Sequence, residues 1–381
     1  MYSLTGMHPV AACFLFPVGV VLYTIFGGLR ATFLTDFLHT IIVLLLVITF
    51  ALTVYATSDK LGSTHRVFDL LVEAARRHPV EGNAEGSYLT MRSHQGIIFF
   101  VINIVGNFGT VFCDTGYYQK AIAAGPANSL AGYIIGGLSW FAIPWVCATT
   151  MGLAALALEK DADFPFPNGI PEAQISAGLV LPYAAVTLLG TGGAAACLLY
   201  GHKSTSFADL SLVFMAVTSA MSSELIAISS LWTYDIYRGY LRPHSTIKDN
   251  IFQARVSVVV FALFMAGFSS GLYYIGISMN YLYLLMGVLV SSAVAPITLT
   301  LMWKKMNKYA ATMSPIMGFA VAVGSWLGTA KQQYGVLTRE STGAKIPMLV
   351  GNLVALLSPV IFVGIFTYIA KPELLPESIP Q

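Results

Sequence analysis

FLHTIIVLLLVITFALTVYAT, residues 37–57, runs for twenty-one positions without an Asp, Glu, Lys or Arg. About 20 predominantly apolar residues, wound as a helix, match the thickness of a bilayer's hydrocarbon core. The run is too long for a strand and too evenly apolar for the surface helix of a soluble domain, so it predicts a transmembrane helix. The rest of the chain agrees. Charged residues make up 10% and apolar types 56% of 381 residues, with mean hydropathy +0.73. Soluble domains carry roughly a quarter charged residues. The net charge of +2 is too small to indicate nucleic acid or a strongly charged partner; the partner that composition does indicate is the lipid bilayer.

Working outward, comparable apolar runs predict spans near 9–28, 37–57, 95–117, 129–156, 209–233, 253–275, 279–303, 311–330 and 347–369. The expected fold class is an all-α polytopic membrane protein with about nine transmembrane helices. It forms one transmembrane domain over 1–370, followed by a short cytoplasmic tail at 371–381. The stretch 174–200 is also apolar, but Pro182, Gly190, Gly192 and Gly193 interrupt it, and its first half predicts a short helix over one face of the bundle. No repeat is visible in the sequence, and the first hydrophobic stretch continues through Gly27 without a signal-peptide cleavage site. Arg30, Lys120, the group Arg238, Arg242, Lys248 and Arg255, then Lys304, Lys305, Lys308 and Lys371 fall on one side if each span crosses once. The excess of Lys and Arg makes that side cytoplasmic. The loops 58–94 and 157–173 are expected on the other.

Two ionisable residues sit well inside apolar runs, Asp114 and Glu224. A charge in hydrocarbon costs roughly 2.5–3.5 kcal/mol on insertion scales and usually has a use. A structural hydrogen bond to a neighbouring helix accounts for each equally well. Asp36, Asp235 and Arg255 lie nearer the interfaces. There Thr35 or Asp36, after the turn at Gly27-Gly28, is expected to cap the next helix. Asn103, Asn107, Thr110 and Asp114 recur at helical spacing and form a polar stripe. Such a stripe faces either a solute pathway or a seam of small residues. Ser222 and Ser223, with the carbonyl of Ser219 one turn earlier, offer oxygens to a small hard cation; back-bonding to the preceding turn is the ordinary alternative. Tyr283 and Ser292 lie deeper than Tyr273 and Tyr274, in a position either to donate to a solute carbonyl or to bond between helices. Cys13, Cys113, Cys147 and Cys197 lie in apolar stretches and read as small core residues. Together with His8, His39, His65, His78, His94, His202 and His244 they show no ligand spacing. No nucleophile–base pair is visible at membrane depth, so no enzyme activity and no cofactor are expected.

Four segments taken together resemble the sodium:solute symporter family: GGLRATFLTDFLHT, GNFGTVFCDTGYYQKAIAA, GLVLPYAAVTLLG and AVTSAMSSELIAISSLWTYDIYR. The wording is most similar to that family's urea-transporting branch, over residues 1 to about 370. The resemblance implies a LeuT-like bundle of inverted repeats working by alternating access. It also implies a multi-pass protein of the plasma membrane and urea symport coupled to a proton or to sodium. The sodium-type site falls on Ser219, Ser222 and Ser223, with no other metal. Asp114 and Glu224 are candidates for proton coupling, and Asn103, Asp114, Tyr283 and Ser292 for a urea site. Relatives have further helices before the GGL loop, so the chain is expected to be a partial bundle, incomplete at its N-terminus. The polar segment Leu199–Asp209 is expected to be an insertion from a retained intron or gene-model slip. The alternatives are a truncated, non-transporting paralogue acting as a sensor or regulator or simply inactive, and a symporter of another small solute such as a polyamine. Oligomeric state is not legible.

Overall fold

The structure, a computed structural model, describes residues 6–189 and 207–369, with side chains described throughout except over 207–213. Gly190, Gly192, Gly193, Cys197, His202, the expected tail at 371–381 and most of the polar segment Leu199–Asp209 lie outside the described residues.

In chain order the helices are α1 (Pro9–Leu52), α2 (Thr64–Arg77), α3 (His94–Cys113), α4 (Thr115–Ala124), α5 (Pro126–Trp140), α6 (Thr150–Ala157), α7 (Glu172–Ser176), α8 (Val180–Leu189), α9 (Phe207–Ser230), α10 (Ile247–Ile275), α11 (Met279–Val290), α12 (Val294–Met302), α13 (Lys308–Tyr334), α14 (Arg339–Gly343) and α15 (Lys345–Ile369). Wide, π-type turns at Thr53–Thr57, Ile143–Thr149 and Leu231–Leu241 extend α1, lead into α6 and extend α9. Local chemistry sets several boundaries. Ser93 caps α3, Thr246 and Asp249 form a capping box on α10, and Ser278 and Asn307 cap α11 and α13. The left-handed glycines Gly276 and Gly335 end α10 and α13.

Among the described residues eight helical elements are long and apolar enough to cross a membrane. The nine expected spans correspond to these eight because the first two are one element, Pro9–Thr57, of 49 residues. Drawn straight it would reach roughly 74 Å, over twice a hydrocarbon core of about 30 Å. Its single non-helical residue within α1 is Gly28 (φ 53°, ψ −145°). Before Gly28, Val20 packs in a cluster with Leu225, and Thr24–Leu29 lie beside Ile226, Ser229 and Ser230. After it, Asp36 meets Ser219 and Val43 lies near Met215. The chain therefore reverses its direction along α9 at this glycine. The expected cap is corrected: the helix resumes directly after Gly28, so Thr35 and Asp36 are inside it. The Thr35 hydroxyl donates to the Thr32 carbonyl, and the Asp36 carboxylate points to other helices. The expected span 95–117 is also corrected, because Asp114 is extended (ψ 108°) and separates α3 from α4.

The described residues form two compact units, one within the stretches 1–80, 86–89 and 116–276, the other within 81–85, 90–115 and 277–381. In the first, a core of Val47, Phe50, Val54, Leu71, Met151 and Leu158 joins the end of α1 to α2 and α6. Above it the loops around Lys60 and Asp161 are tied by ion pairs. Lys60 Nζ is 2.7 Å from Asp161 and 2.6 Å from Asp163. Burial opposes the charge on both Lys60 and Asp161, but the bridge prevails. It holds the lysine above its ordinary pKa and, with the Asp163 N–H, the Asp161 carboxyl below its own. The two loops expected on one side of the membrane thus touch. The second unit packs α3, α11, α13 and α15 around Ile102, Val288, Ala322, Met348 and Ala355.

Candidate functional site

In the first unit α1, α4 and α9 bring a carboxylate, an ammonium and three serines together. Asp36 sits eight residues after the Gly28 reversal, and its Oδ1 accepts the Ser219 hydroxyl at 2.6 Å. Lys120 Nζ donates to Asp36 Oδ2 at 2.9 Å and to Ser223 Oγ at 2.7 Å. The Lys120 and Asp36 side chains are only 27% and 23% exposed, inside a strongly apolar chain. Desolvation at such a site makes each charge depend on its partner. α4 is held along α9 one turn further on, where Gln119 Nε2 donates to the Ala227 carbonyl at 3.3 Å. Ser222, fully buried, donates to the Ser219 carbonyl at 2.9 Å. The Tyr23 hydroxyl donates to the Thr218 carbonyl at 3.2 Å.

Two cavities flank this cluster along α9. One, about 550 Å³, is lined by Asp36, His39, Thr40, Ser139, Trp140 and Ser219 among others. The other, about 620 Å³, lies beside Thr24–Leu29, Gln119, Ser229, Ser230, Asn250 and Arg255. Both are within the size range of small-molecule sites.

In the second unit α3 and α11 meet through a glycine seam. A Cβ on Gly109 would come within 2.7 Å of the Val290 side chain and 3.0 Å of the Ser291 backbone nitrogen. The Ser291 hydroxyl donates to the Val105 carbonyl at 2.8 Å. This close approach sets polar side chains against one another. The Tyr283 hydroxyl donates to Asn103 Oδ1, and Asn107 Nδ2 donates to the same oxygen at 2.7 Å and to the Asn103 carbonyl at 2.8 Å. The Tyr283 ring stacks on Phe99 with centroids 6.1 Å apart. Tyr283 is 39% exposed. The group is an accessible amide–phenol patch on otherwise apolar helices, rich in both donors and acceptors.

The residues expected to line a solute site separate in the structure. Asn103 and Tyr283 are joined. Asp114 is eleven positions beyond Asn103, roughly 16 Å along the helix, at the α3–α4 break, where its N–H bonds the Thr110 carbonyl at 2.9 Å. Ser292 is buried, 4% exposed, in the tight turn after α11. Of the ion-type residues, Ser219, Ser222 and Ser223 do share one site, while Glu224 lies on the exposed face of α9. In sequence Asp36 and Lys120 read as a cap and a loop charge, and neither is legible as part of a site. The available signal was a pair of opposite charges within two of the quoted motifs. Asn107 reads in sequence as one turn from Asn103 on the same polar stripe, and the structure adds the hydrogen bond between them.

A sodium ion would need a shell of free oxygens, as hard cations do. Here the Ser219 carbonyl accepts from Ser222, while Ser223 and Asp36 are engaged by the Lys120 ammonium. With Lys120 in place, the donor set fits the ammonium and does not fit a free sodium ion beside it.

The model of the Sodium:solute symporter family matches residues 1–318. The chain is 54% identical over 369 residues to the probable urea active transporter 1 of Schizosaccharomyces pombe, covering 96% of this chain and 54% of that protein. It is 45% identical over 370 residues to the urea-proton symporter DUR3 of Oryza sativa subsp. japonica, covering 93% of this chain and 48% of that one. The chain thus spans about half the length of these relatives. A solved structure of a Na+-coupled sialic acid symporter in a substrate-bound outward-open state superposes with TM-score 0.63 at 15% identity, over 98% of this chain and 69% of that one. That likeness is one of fold.

Proposed function

The chain belongs to the sodium:solute symporter family, and from that membership we propose that it serves ion-coupled urea symport across the plasma membrane by alternating access. The observation that carries the reading is the accessible Asn103–Asn107–Tyr283 patch. Urea offers one carbonyl acceptor and four N–H donors. Amide carbonyls accept from its nitrogens, while the amide NH2 and the phenol donate to its oxygen. Urea is uncharged, which suits a patch with no ionised side chain. The urea-transporting relatives point to the same solute.

Asp114, at the break between α3 and α4, and Ser292, beneath the α11 turn, complete the proposed solute path at a second level. In the coupling cluster Ser223 accepts from the Lys120 ammonium, Ser219 donates to Asp36 and Ser222 braces the Ser219 carbonyl. Asp114 and Glu224 are the groups proposed to carry a coupled proton. Helix breaks at membrane depth are where transporters of this type place their sites.

Uptake of labelled urea into cells expressing the chain tests this. Tyr283→Phe and Asn103→Ala each remove one hydrogen bond to the solute, worth about 0.5–1.5 kcal/mol, and so should lower urea affinity by roughly two- to twelvefold. Unlabelled urea should compete and a polyamine should not. Unchanged affinity in both variants, at equal surface expression, would remove the patch from the pathway. Competition by the polyamine alone would replace the substrate.

A further inference from the structure

Lys120 is placed as a cation would be. Its ammonium lies between Asp36 Oδ2 at 2.9 Å and Ser223 Oγ at 2.7 Å, and the other Asp36 oxygen is satisfied by Ser219 at 2.6 Å. Three helices converge on one positive charge, in a region that desolvates it to 27% exposure. On α9 the Ser219 and Ser223 hydroxyls, one helical turn apart, both meet this pair, while Ser222 bonds the Ser219 carbonyl. An ammonium carries the same unit charge as an alkali-metal ion and is hard and strongly hydrated when free. The difference is that the lysine brings its charge on a four-carbon stem from α4.

We infer that Lys120 is the resident, covalently tethered cation of the Asp36–Ser219–Ser223 cluster. The cluster therefore binds no free sodium in the native chain and becomes a site for a small monovalent metal ion when the lysine side chain is removed. Like charges at hydrogen-bonding separation repel, and more strongly where partial burial weakens screening by water, so ammonium and metal ion exclude one another. Without the ammonium, the half-buried Asp36 carboxylate is left unpaired, with the Ser219 and Ser223 oxygens beside it. The 550 Å³ cavity bordered by Asp36 and Ser219 provides a route for a hydrated ion to reach them.

The inference concerns the charge cluster and does not require urea to be the solute. Its test is therefore made without solute. The purified full chain is unfolded thermally in choline chloride and in sodium, lithium or potassium chloride at matched ionic strength. The native chain should melt at one temperature in choline and sodium. Lys120→Ala should melt lower in choline and regain stability saturably with sodium or lithium, as ligand linkage requires. Asp36→Asn/Lys120→Ala should lose that response, since no carboxylate remains. A saturable sodium-specific rise in the native chain overturns the inference and needs no variant to fold. A folded Lys120→Ala chain that melts identically in sodium and choline also overturns it. Loss of urea uptake with the predicted sodium responses intact would instead count against the urea reading alone.

Discussion

Glu159 is 3% exposed, and its two oxygens face Arg77 Nη1 at 2.8 Å and His78 Nε2 at 3.2 Å. In sequence it is one acid among several in a polar loop, and its partners are about eighty residues away. Pairing at that separation depends on how α2 packs against α6, and no local pattern reports it. The same holds for Asp36 and Lys120, 84 positions apart. By contrast Asn103 and Asn107 were legible, since one helical turn alone puts them together. Removing one partner of a buried pair leaves a desolvated charge, which costs about 3–5 kcal/mol, while replacing both with apolar groups is often neutral. Arg77 is 25% exposed and keeps Glu73 at 3.9 Å, so Glu159→Ala should lower stability by less than that, about 1–3 kcal/mol, and Arg77→Met/Glu159→Leu should recover most of it. Unfolding in detergent micelles measures both. A Glu159→Ala chain as stable as the native one would mean that the pair is solvated in solution.

At the scale of elements, hydropathy located the helices well, because a bilayer imposes both length and composition. It did not locate the breaks. The apolar window runs straight through Asp114, although the helix does not. In the same way, Gly27 to Asp36 reads as a loop in sequence, while the structure changes direction at one residue and resumes the helix. A loop and a one-residue reversal leave the same polar residues in the same places, so the two look alike until packing is known. Gly28 makes the reversal possible: its φ of 53° with ψ of −145° is a region that side chains with a Cβ avoid, at a cost of order 1–3 kcal/mol. Nothing lies within 4 Å of a Cβ placed there, so the penalty is one of backbone and not of crowding. Gly28→Ala should lower the melting temperature and the monodisperse yield. Gly19→Ala, at a helical position of the same element with equally open surroundings, should be neutral or stabilising by roughly 0.5–1 kcal/mol. Equal behaviour of the two variants would show that the reversal does not depend on Gly28.

For the molecule as a whole, the distribution of Lys and Arg sets the expected sidedness, and the structure adds a mechanical constraint. The Lys60–Asp161 and Arg77–Glu159 pairs require the loops 58–80 and 157–171 to share one face of the membrane. The second half of α1 runs from Asp36 past Val43 into the 58–80 loop, and α9 runs antiparallel to it, with Met215 near Val43 and Ser219 at Asp36. With its wide-turned extension α9 therefore leads away from that face to Leu241 as a full crossing. The turn at Arg242–Thr246 must then lie on the opposite face, the one rich in Arg238, Arg242 and Lys248, which the positive-inside rule makes cytoplasmic. Arg66 and Arg242 are both exposed, so cysteines at these positions report sidedness directly. In intact cells a membrane-impermeant maleimide should label Arg66→Cys and spare Arg242→Cys, which should react only after permeabilisation. Labelling of the native chain, with its own four cysteines, supplies the background. If both variants react from outside, an even number of crossings separates the two positions. In that case α9 does not pack antiparallel to the second half of α1 in the membrane, and the Asp36–Ser219 contact that anchors the Lys120 cluster is lost.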